Sequence, residues 1–422
     1  MFETTWTEDQ VKDLLSREKF TYQNVPLPYG LATGGDDRSA TARAIFPDDM
    51  TGKSVLDVGS KYGFFCFEAL RRGAARAVGV DVDGDSLRKS RLLADCLGAK
   101  SARFEFLDIE TDRIDDHFDY VLCLNVLHHL KNPIATLDTL IRLTGERLVL
   151  EVAALGPHDR KKLGLSTLAR RFLNASPIIY VNESATHGKR SGQNFFITQS
   201  AIVNLLTYQR GSFARVDTIE TGHKGRYISV AHKRHFGKLV VVAGPTSSGK
   251  STLIGQLRRN EMPDLARRLG IDDGSTWATP LANRLHEPGE ARFEKALYHY
   301  DILRPYLRGA RLHARDEGLD VLDLADELAF VTIWCPPDVL LERLEKRSIA
   351  PKTDEKGGFR GRKRHLTIAD DYRDPARVRE HYQRWFDFTR TKRGNHIVVS
   401  PVDGWACYSI DEWDEKTRHL GR

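Results

Sequence analysis

The chain contains two segments in which a short apolar strand runs directly into a glycine-rich turn. The first is Ser54–Gly63, with the sequence SVLDVGSKYG, and the second is Lys238–Thr252, with the sequence KLVVVAGPTSSGKST. Each is typical of the first strand and turn of a parallel α/β sheet, where backbone amides approach a bound nucleotide or phosphate. Two first strands in 422 residues predict two domains, since a domain typically spans about 100–200 residues.

The pattern after the first turn predicts a doubly wound sheet. Apolar segments at 77–80, 104–107, 120–124 and 147–152 alternate with amphipathic ones, of which 84–97 is the clearest helix. A closing helix and two strands are expected within 194–234. The basic stretch HKRHFG at 232–237 is the predicted linker. We therefore expect an α/β fold with two doubly wound parallel-sheet domains, at 1–235 (with 1–50 as an N-terminal cap) and 236–422.

Composition narrows the class of protein. Hydrophobic residues make up 41% of the chain and charged residues 29%, which argues against disorder. The net charge of +6 is too small to indicate a nucleic-acid-binding protein by itself. The N-terminus lacks a secretory pattern, no apolar stretch approaches membrane-spanning length, and the five cysteines form no CxxC pair. We therefore expect a cytoplasmic protein with free thiols and no membrane span.

The first glycine turn has the spacing of a nucleoside-binding site. Asp57, Gly59, Ser60 and Gly63 form the turn, and Asp81 follows the next apolar segment about 20 residues later. An acid at that place binds ribose hydroxyls in Rossmann-type sheets. This pattern alone fits either a dinucleotide or S-adenosylmethionine.

Later signals favour S-adenosylmethionine. Asp108 and Ile109 follow the third predicted strand, where an acid can accept a hydrogen bond from an adenine amino group. Asn125 follows the fourth strand. This succession resembles the class I S-adenosylmethionine-dependent methyltransferases over roughly residues 50–155. The resemblance implies a Rossmann-like methyltransferase domain with S-adenosylmethionine as cofactor.

A closer resemblance extends over most of the first half. The segments LPYGLATGG, TGKSVLDVGSKYGFFCFEALRRGA and GQNFFITQSAIVNLL are similar to the tRNA wobble-uridine carboxymethyltransferase-like group. Similar modules also occur beside kinases in polysaccharide-terminating enzymes. The resemblance implies that Gly30–Gly35 folds over the cofactor and that Asn194–Ile197 lines the acceptor side.

Two histidines and one glutamate are candidates to contact the methyl acceptor. Methyl transfer depends mainly on positioning, and a base is needed only if the acceptor must lose a proton. His128 and His129 follow the fourth strand and are predicted to act as general base or to orient the acceptor. The alternative is one packed and one solvent-facing imidazole. Glu151 ends the fifth predicted strand. It either lies near the acceptor or has a structural role.

The second glycine turn matches the phosphate-binding loop pattern G-x-x-x-x-G-K-[ST] without a gap. Its residues are Gly244, Pro245, Thr246, Ser247, Ser248, Gly249, Lys250, Ser251 and Thr252. Backbone amides and the following helix N-terminus would hold phosphates. Lys250 would reach the β/γ-phosphates, and Ser251 would ligate Mg²⁺. The sequence thus predicts a P-loop NTPase domain that uses ATP or another nucleoside triphosphate.

The residues after this loop resemble small-molecule P-loop kinases. Asp301 ends a predicted strand and is a candidate Mg²⁺ ligand or catalytic carboxylate, and Asp273 is a candidate acceptor of a hydroxyl proton. An ordinary Asp-Gly turn is the alternative for Asp273. Arg343 and Arg347 are candidates to neutralise the transferred phosphoryl group, as are the arginines of a basic loop at 360, 362 and 364, for which a solvated loop is the alternative.

Three functions are consistent with these motifs. The first is a bifunctional enzyme, in which a kinase phosphorylates a glycan or small-molecule hydroxyl and a methyltransferase then acts on the same molecule. The second is an RNA-modifying methyltransferase with a polynucleotide-kinase-like domain, which makes nucleic acid an alternative partner. The third is a nucleotide-sensing scaffold without turnover. The sequence does not indicate an oligomeric state.

Overall fold

The computed structural model describes residues 2–156, 161, 164–181, 194–209, 212–221, 225–280, 291–303, 319–349 and 367–421. The chain divides into two compact units, Met1–Arg234 and His235–Arg422. The last strand of the first unit ends at Lys233, and the first strand of the second begins at His235. The boundary between the units therefore falls within the predicted linker at 232–237, and Arg234 is the one residue of this stretch that lies outside a strand.

The first unit contains a seven-stranded sheet. In chain order the strands of this unit are β1 Ser54–Val58, β2 Arg76–Asp81, β3 Ala102–Phe106, β4 Phe118–Leu124, β5 Thr144–Ala153, β6 Ile179–Val181, β7 Phe195–Ile197, β8 Phe213–Glu220 and β9 Arg226–Lys233. The large sheet has the order β3-β2-β1-β4-β5-β9-β8, and β6 and β7 form a separate pair. Strands β1 to β5 are parallel, and β9 runs antiparallel to β5 and β8. The carboxyl ends of the five parallel strands thus share one edge.

Helices cover both faces of this sheet. They are α1 Glu8–Arg17, α2 Ser39–Ile45, α3 Phe64–Arg71, α4 Gly84–Leu97, α5 Pro133–Leu143, α6 Thr167–Ala175 and α7 Gln199–Asn204. Val55 of β1 packs in one core with α1 to α4, whereas its neighbour Leu56 packs in a second core with α5 and α7. Alternate residues of a strand point to opposite faces, so the apolar run of β1 supplies both cores.

Local signals set the ends of several helices. The side chain of Thr7 accepts from the amide of Gln10 and forms a capping box at α1, and Asp83 caps α4. Asn132 caps α5, and Pro133 occupies its first turn. These residues explain why the helices begin where they do.

The connection from β3 to β4 differs from a regular doubly wound pattern. Residues 107–117 form turns and extended chain without a helix. Over this part of the sheet lies a cavity of about 400 Å³, with Leu56, Val78 and Val80 among its lining residues. Its lining extends along the strands from Arg76 and Phe118 at their amino ends to Leu107, which follows β3.

The second unit is built on a five-stranded sheet. Its strands are β10 His235–Gly244, β11 Arg292–Asp301, β12 Ala325–Ile333, β13 Asn395–Ser400 and β14 Ala406–Tyr408, and its helices are α8 Lys250–Arg258, α9 Pro263–Leu269, α10 Pro337–Ile349, α11 Pro375–Thr389 and α12 Ile410–Thr417. The strand order is β11-β10-β12-β13-β14, with only β14 antiparallel. The register pairs Gly244 with Asp301. That pairing places Asp301 beside the second glycine turn.

None of the helices in the described part of the chain is long and apolar enough to cross a lipid bilayer.

Candidate functional site

The first glycine turn joins β1 to α3 in a conformation that requires glycine. Gly59 has φ 76° and Gly63 has φ 82°, both in the left-handed region. A Cβ atom on Gly59 would lie 2.4 Å from Cγ2 of Val126. The amides of Gly59 and Ser60 both donate to the carbonyl of Val80, at 2.8 and 3.1 Å. The turn is therefore fixed against the end of β2.

Asp81 ends β2 directly beside this turn. Its side chain is buried, with Oδ2 accepting from the Lys61 amide at 3.0 Å and Oδ1 from the Asp83 amide at 2.9 Å. The ammonium of Lys61 lies 3.9 Å from Oδ1. These contacts hold the carboxylate at the carboxyl edge of the sheet, where the glycine spacing predicts it.

A buried charged cluster lies between the N-terminal cap and the ends of β1 and β5. Arg38, the residue that precedes α2, donates from Nη2 to Oε2 of Glu151, which is fully buried. Asp57 is also buried. Burial, together with the nearby Asp81, raises the pKa of Asp57 to about 7, although Arg38 opposes the shift.

Each member of this cluster has a buried atom that lacks a hydrogen-bond partner among the residues that the structure describes. These atoms are Oδ2 of Asp57, Oε1 of Glu151 and Nε of Arg38. Buried polar groups are normally hydrogen-bonded, because leaving one unpaired costs about 1–3 kcal/mol. The cluster therefore offers two acceptors and one donor to a ligand.

The segment after β4 connects this cluster to the histidine pair. Asn125 has φ 61° and donates its amide to the carbonyl of Glu151 at 3.0 Å. Its Oδ1 accepts from Nη1 of Arg226 at 2.5 Å. Arg226 begins β9, and the sequence pattern did not indicate it because its partner lies 101 positions away.

His128 and His129 occupy different environments, although their ring centroids lie 4.3 Å apart. His128 is fully buried, and neither ring nitrogen has a hydrogen-bond partner in the described part of the chain. Burial lowers the pKa of His128 to about 3, so its imidazole is neutral and a weak base. His129 is half-buried, and its carbonyl accepts from the Asn194 side chain at 2.6 Å. Of the two, His129 has the better access to an acceptor.

The other predicted cofactor residues lie in the loop after β3. Asp108 is half-buried, and its Oδ1 accepts from the amide of Glu110 at 3.0 Å, while Ile109 packs in the second core. Glu110 in turn accepts from the amides of Lys131 and Asn132 at 2.9 and 2.7 Å. The loops after β3 and β4 are thus tied together at the same edge.

The N-terminal cap packs on the glycine turn. Oε1 of Gln23 accepts from the amide of Tyr62 at 2.9 Å, and the Phe20 and Tyr62 rings lie 5.4 Å apart edge to face. The predicted cover Gly30–Gly35 lies in this cap, and a Cβ on Gly35 would lie 2.5 Å from the Gln23 amide nitrogen. Of the predicted acceptor segment Asn194–Ile197, Asn194 reaches the histidine pair, whereas Ile197 is fully buried.

The second glycine turn forms a compact loop between β10 and α8. Ser247 has φ 69°, and Gly249, at the start of α8, has φ 106°. The ammonium of Lys250 is buried and donates to the carbonyls of Gly244 and Pro245, at 2.8 and 2.6 Å. The same ammonium lies 4.0 Å from Oδ2 of Asp301. The loop thus brings together the lysine and the acid predicted for it.

Side chains outside the motif contact the back of this loop. The carbonyl of Ser248 accepts from Nη1 of Arg343 at 3.3 Å and from Sγ of Cys335 at 3.4 Å. Burial raises the pKa of Cys335 to about 11, so its thiol stays protonated as a donor. Ser251 and Thr252 are exposed in the first turn of α8. The side chain of Arg347 and residues 360, 362 and 364 lie outside the described residues.

The structure corrects the prediction for Asp273. Its carboxylate caps a short turn at Gly274–Thr276 and accepts from Nδ2 of Asn260 at 2.9 Å. The neighbouring Asp272 pairs with Lys295 of β11. Lys295 lies six positions before Asp301 on that strand, which corresponds to about 20 Å between the two residues. Asp273 therefore lies near the amino ends of the strands, in the Asp-Gly turn that was its alternative.

Comparisons with known proteins bear on the first unit. Residues 49–162 match a family model described as a methyltransferase domain. The chain is 28% identical over 131 residues to the ubiquinone biosynthesis O-methyltransferase of Neisseria meningitidis serogroup A, covering 31% of this chain and 55% of that protein. It is 33% identical over 130 residues to the ribosomal protein L11 methyltransferase of Escherichia coli, covering 30% of this chain and 44% of that protein. The chain thus spans about half the length of these relatives.

Solved structures also resemble the chain. The N-terminal domain of EvdMO1, determined in the presence of SAH and D-fucose, has 18% identity and a TM-score of 0.41, covering 54% of this chain and 98% of that one. Magnesium protoporphyrin IX methyltransferase from Synechocystis PCC 6803 with bound SAH has 21% identity and a TM-score of 0.35, and the match covers 46% of this chain and 81% of that one. Residues 49–162 thus match a methyltransferase domain, and the first unit, which contains them, has a Rossmann-like α/β fold.

Proposed function

We propose that the first unit is a class I methyltransferase domain that binds S-adenosylmethionine at the carboxyl edge of its sheet and methylates a small-molecule or glycan acceptor. One observation carries the proposal, namely the buried cluster of Asp57, Glu151 and Arg38 with an unpaired atom on each. The methionine end of S-adenosylmethionine carries an ammonium and a carboxylate. Two acidic acceptors and one guanidinium donor complement these two groups.

The other predicted residues fit the rest of the cofactor. We assign Gly59, Ser60 and Gly63 to the nucleoside and Asp81, whose carboxylate is held beside this turn, to the ribose hydroxyls. When bound, the cofactor supplies a sulfonium methyl group, and transfer then depends on the alignment of the acceptor. We assign to His129 the role of base or acceptor orienter. His128, which is neutral and enclosed, packs behind it.

Calorimetry with S-adenosylhomocysteine tests this proposal. We expect the wild-type chain to bind and Asp81→Asn to weaken binding about 10- to 100-fold, since a charge-assisted hydrogen bond contributes about 1.5–3 kcal/mol. Asp116→Asn is the matched control, because among the described residues Asp116 accepts from Arg76 and from the His117 amide at the surface. Absence of any heat with the folded wild-type chain would contradict the proposal.

The affinity for S-adenosylhomocysteine is expected to rise with pH up to about 7. Below its pKa of about 7, Asp57 is protonated, and a bound ammonium favours the ionised carboxylate. Binding therefore releases a proton at lower pH, and affinity should increase by up to about tenfold per pH unit before it levels off. Titrations at several pH values check this slope. Asp57→Asn should flatten it, and an equal slope in that variant would exclude Asp57 as its source.

We further propose that the second unit binds a nucleoside triphosphate with Mg²⁺ and transfers a phosphoryl group. The support is the convergence of Lys250, Thr246 and Asp301 at a loop with the P-loop sequence. Asp301 and Ser251 offer the oxygen ligands that Mg²⁺ prefers. Arg343 reaches the loop through the carbonyl of Ser248, so its contribution includes holding the loop.

The two activities in one chain suggest successive steps on one acceptor, in which phosphorylation of a hydroxyl precedes methylation. Mass spectrometry of candidate acceptors incubated with ATP and S-adenosylmethionine tests this order. Methylation that proceeds unchanged without ATP would contradict it. Salt-sensitive binding of RNA would instead favour an RNA acceptor, and binding of both cofactors without product would favour the sensing scaffold.

A further inference from the structure

We propose that Tyr372 is a positioning residue that holds the phosphate loop and Asp301 in their binding geometry. Tyr372 lies outside the loop motif, 126 positions from its partner Thr246. The inference rests on the nucleotide site proposed above and assigns to that site a residue that its motif does not contain.

Tyr372 is connected to Asp301 through one residue. The buried Tyr372 hydroxyl donates to the carbonyl of Thr246 at 2.6 Å. The hydroxyl of Thr246 donates to Oδ2 of Asp301, also at 2.6 Å. Oδ1 of Asp301 accepts from the amide of Leu303 at 3.1 Å. Two hydrogen bonds therefore link the tyrosine to the candidate Mg²⁺ ligand.

The contact to the Thr246 carbonyl also orients an amide. In a trans peptide the carbonyl and the following N–H point in opposite directions. Since Tyr372 contacts the carbonyl between Thr246 and Ser247, the Ser247 amide points away from the tyrosine. Phosphate cradles are built from amides that face the anion in this way.

Ser247 has a backbone conformation that needs such support. Its φ of 69° is in the left-handed region, which is unfavourable for a residue other than glycine. The Tyr372 hydrogen bond fixes the peptide immediately before it. Other loop carbonyls are held in the same manner, those of Gly244 and Pro245 by Lys250. Side-chain hydrogen bonds to its carbonyls therefore fix the shape of the loop.

Tyr372 keeps its proton under ordinary conditions. Burial, with Asp301 nearby, raises the pKa of Tyr372 well above its usual value. The hydroxyl therefore remains a donor throughout the range in which binding is measured.

The test is Tyr372→Phe, which keeps the ring and removes the hydroxyl. In calorimetric titrations with ADP, we expect affinity to fall about 3- to 10-fold, in proportion to one hydrogen bond. The loss should be similar with and without Mg²⁺, because the loop amides contact phosphate directly. Thr246→Val should mainly reduce the gain in ADP affinity that Mg²⁺ produces, because it removes only the hydrogen bond to Asp301. Thr246→Ser keeps the hydroxyl and should therefore keep that gain.

Tyr227→Phe is the matched control. It also removes a buried hydroxyl that donates to a backbone carbonyl, that of Ile197 at 2.8 Å, and both residues belong to the first unit. We expect a similar fall in melting temperature and unchanged ADP affinity. Equal losses of affinity in both tyrosine variants, or none in Tyr372→Phe, would overturn the positioning role. If the wild-type chain binds no ADP, the proposed nucleotide site itself fails.

Discussion

Replacing Arg38 with methionine is expected to abolish S-adenosylhomocysteine binding and to destabilise the first unit by about 3–5 kcal/mol. The reason is that Glu151 is fully buried and Arg38 is its ion-pair partner, so that the variant leaves an uncompensated buried charge. The variant also removes the only guanidinium that we assign to the cofactor carboxylate. Urea denaturation measures the loss of stability. Calorimetry at a temperature where the variant is folded measures the loss of S-adenosylhomocysteine binding.

A second substitution separates the two effects. Replacing both members of a buried ion pair with apolar residues is often neutral for stability. We therefore expect Arg38→Met combined with Glu151→Leu to recover most of the free energy of unfolding without recovering cofactor binding. If binding returns together with stability, Arg38 serves only the fold and its assignment to the cofactor is wrong.

The second large effect is expected from Lys250→Met, which should weaken binding of ATP at least about 100-fold. Methionine keeps much of the aliphatic length of this buried side chain but removes the ammonium that donates to the carbonyls of Gly244 and Pro245. A loss of about 100-fold corresponds to about 2.7 kcal/mol, within the range of a charged hydrogen-bonding group directed at phosphate. Titration with a non-hydrolysable ATP analogue measures the change.

The chain contains its own control for that experiment. The tripeptide Gly52-Lys53-Ser54 repeats the letters of the phosphate loop but runs into β1 instead of a helix, and Lys53 pairs with Glu146 at 2.6 Å. Lys53→Met should leave nucleotide binding unchanged and alter stability by less than about 1 kcal/mol. Retention of wild-type affinity in Lys250→Met would contradict the proposed nucleotide site.

Local patterns predicted much of the first unit. The helix predicted at 84–97 coincides with α4, and the strand predicted at 77–80 lies within β2. Apolar runs and glycines act over a few residues, so that a single sequence reveals them. The predicted linker at 232–237 contains the boundary between the units, but the connection is only one residue long because strand pairing extends through this basic stretch.

Long-range partners could not be predicted in this way. Arg38 contacts a residue 113 positions away, and Tyr372 one 126 positions away. Neither has a local spacing that distinguishes it from an ordinary arginine or tyrosine. The failure at Asp273 is of the same kind, since its Asp-Gly sequence follows α9 instead of a strand end. The fold topology alone decides at which end of the sheet such a residue lies.

The pairing of β5 with β9 limits how the first unit can be divided. The segment that matches a methyltransferase domain ends at residue 162, whereas the edge of β5 opposite β4 is paired with Arg226–Lys233. A fragment that ends at residue 162 would expose a full row of unpaired strand amides and carbonyls, which promotes aggregation. A fragment that begins at residue 49 would also leave Glu151 without Arg38. Expression of the first unit on its own therefore calls for a gene fragment that reaches the single junction residue Arg234.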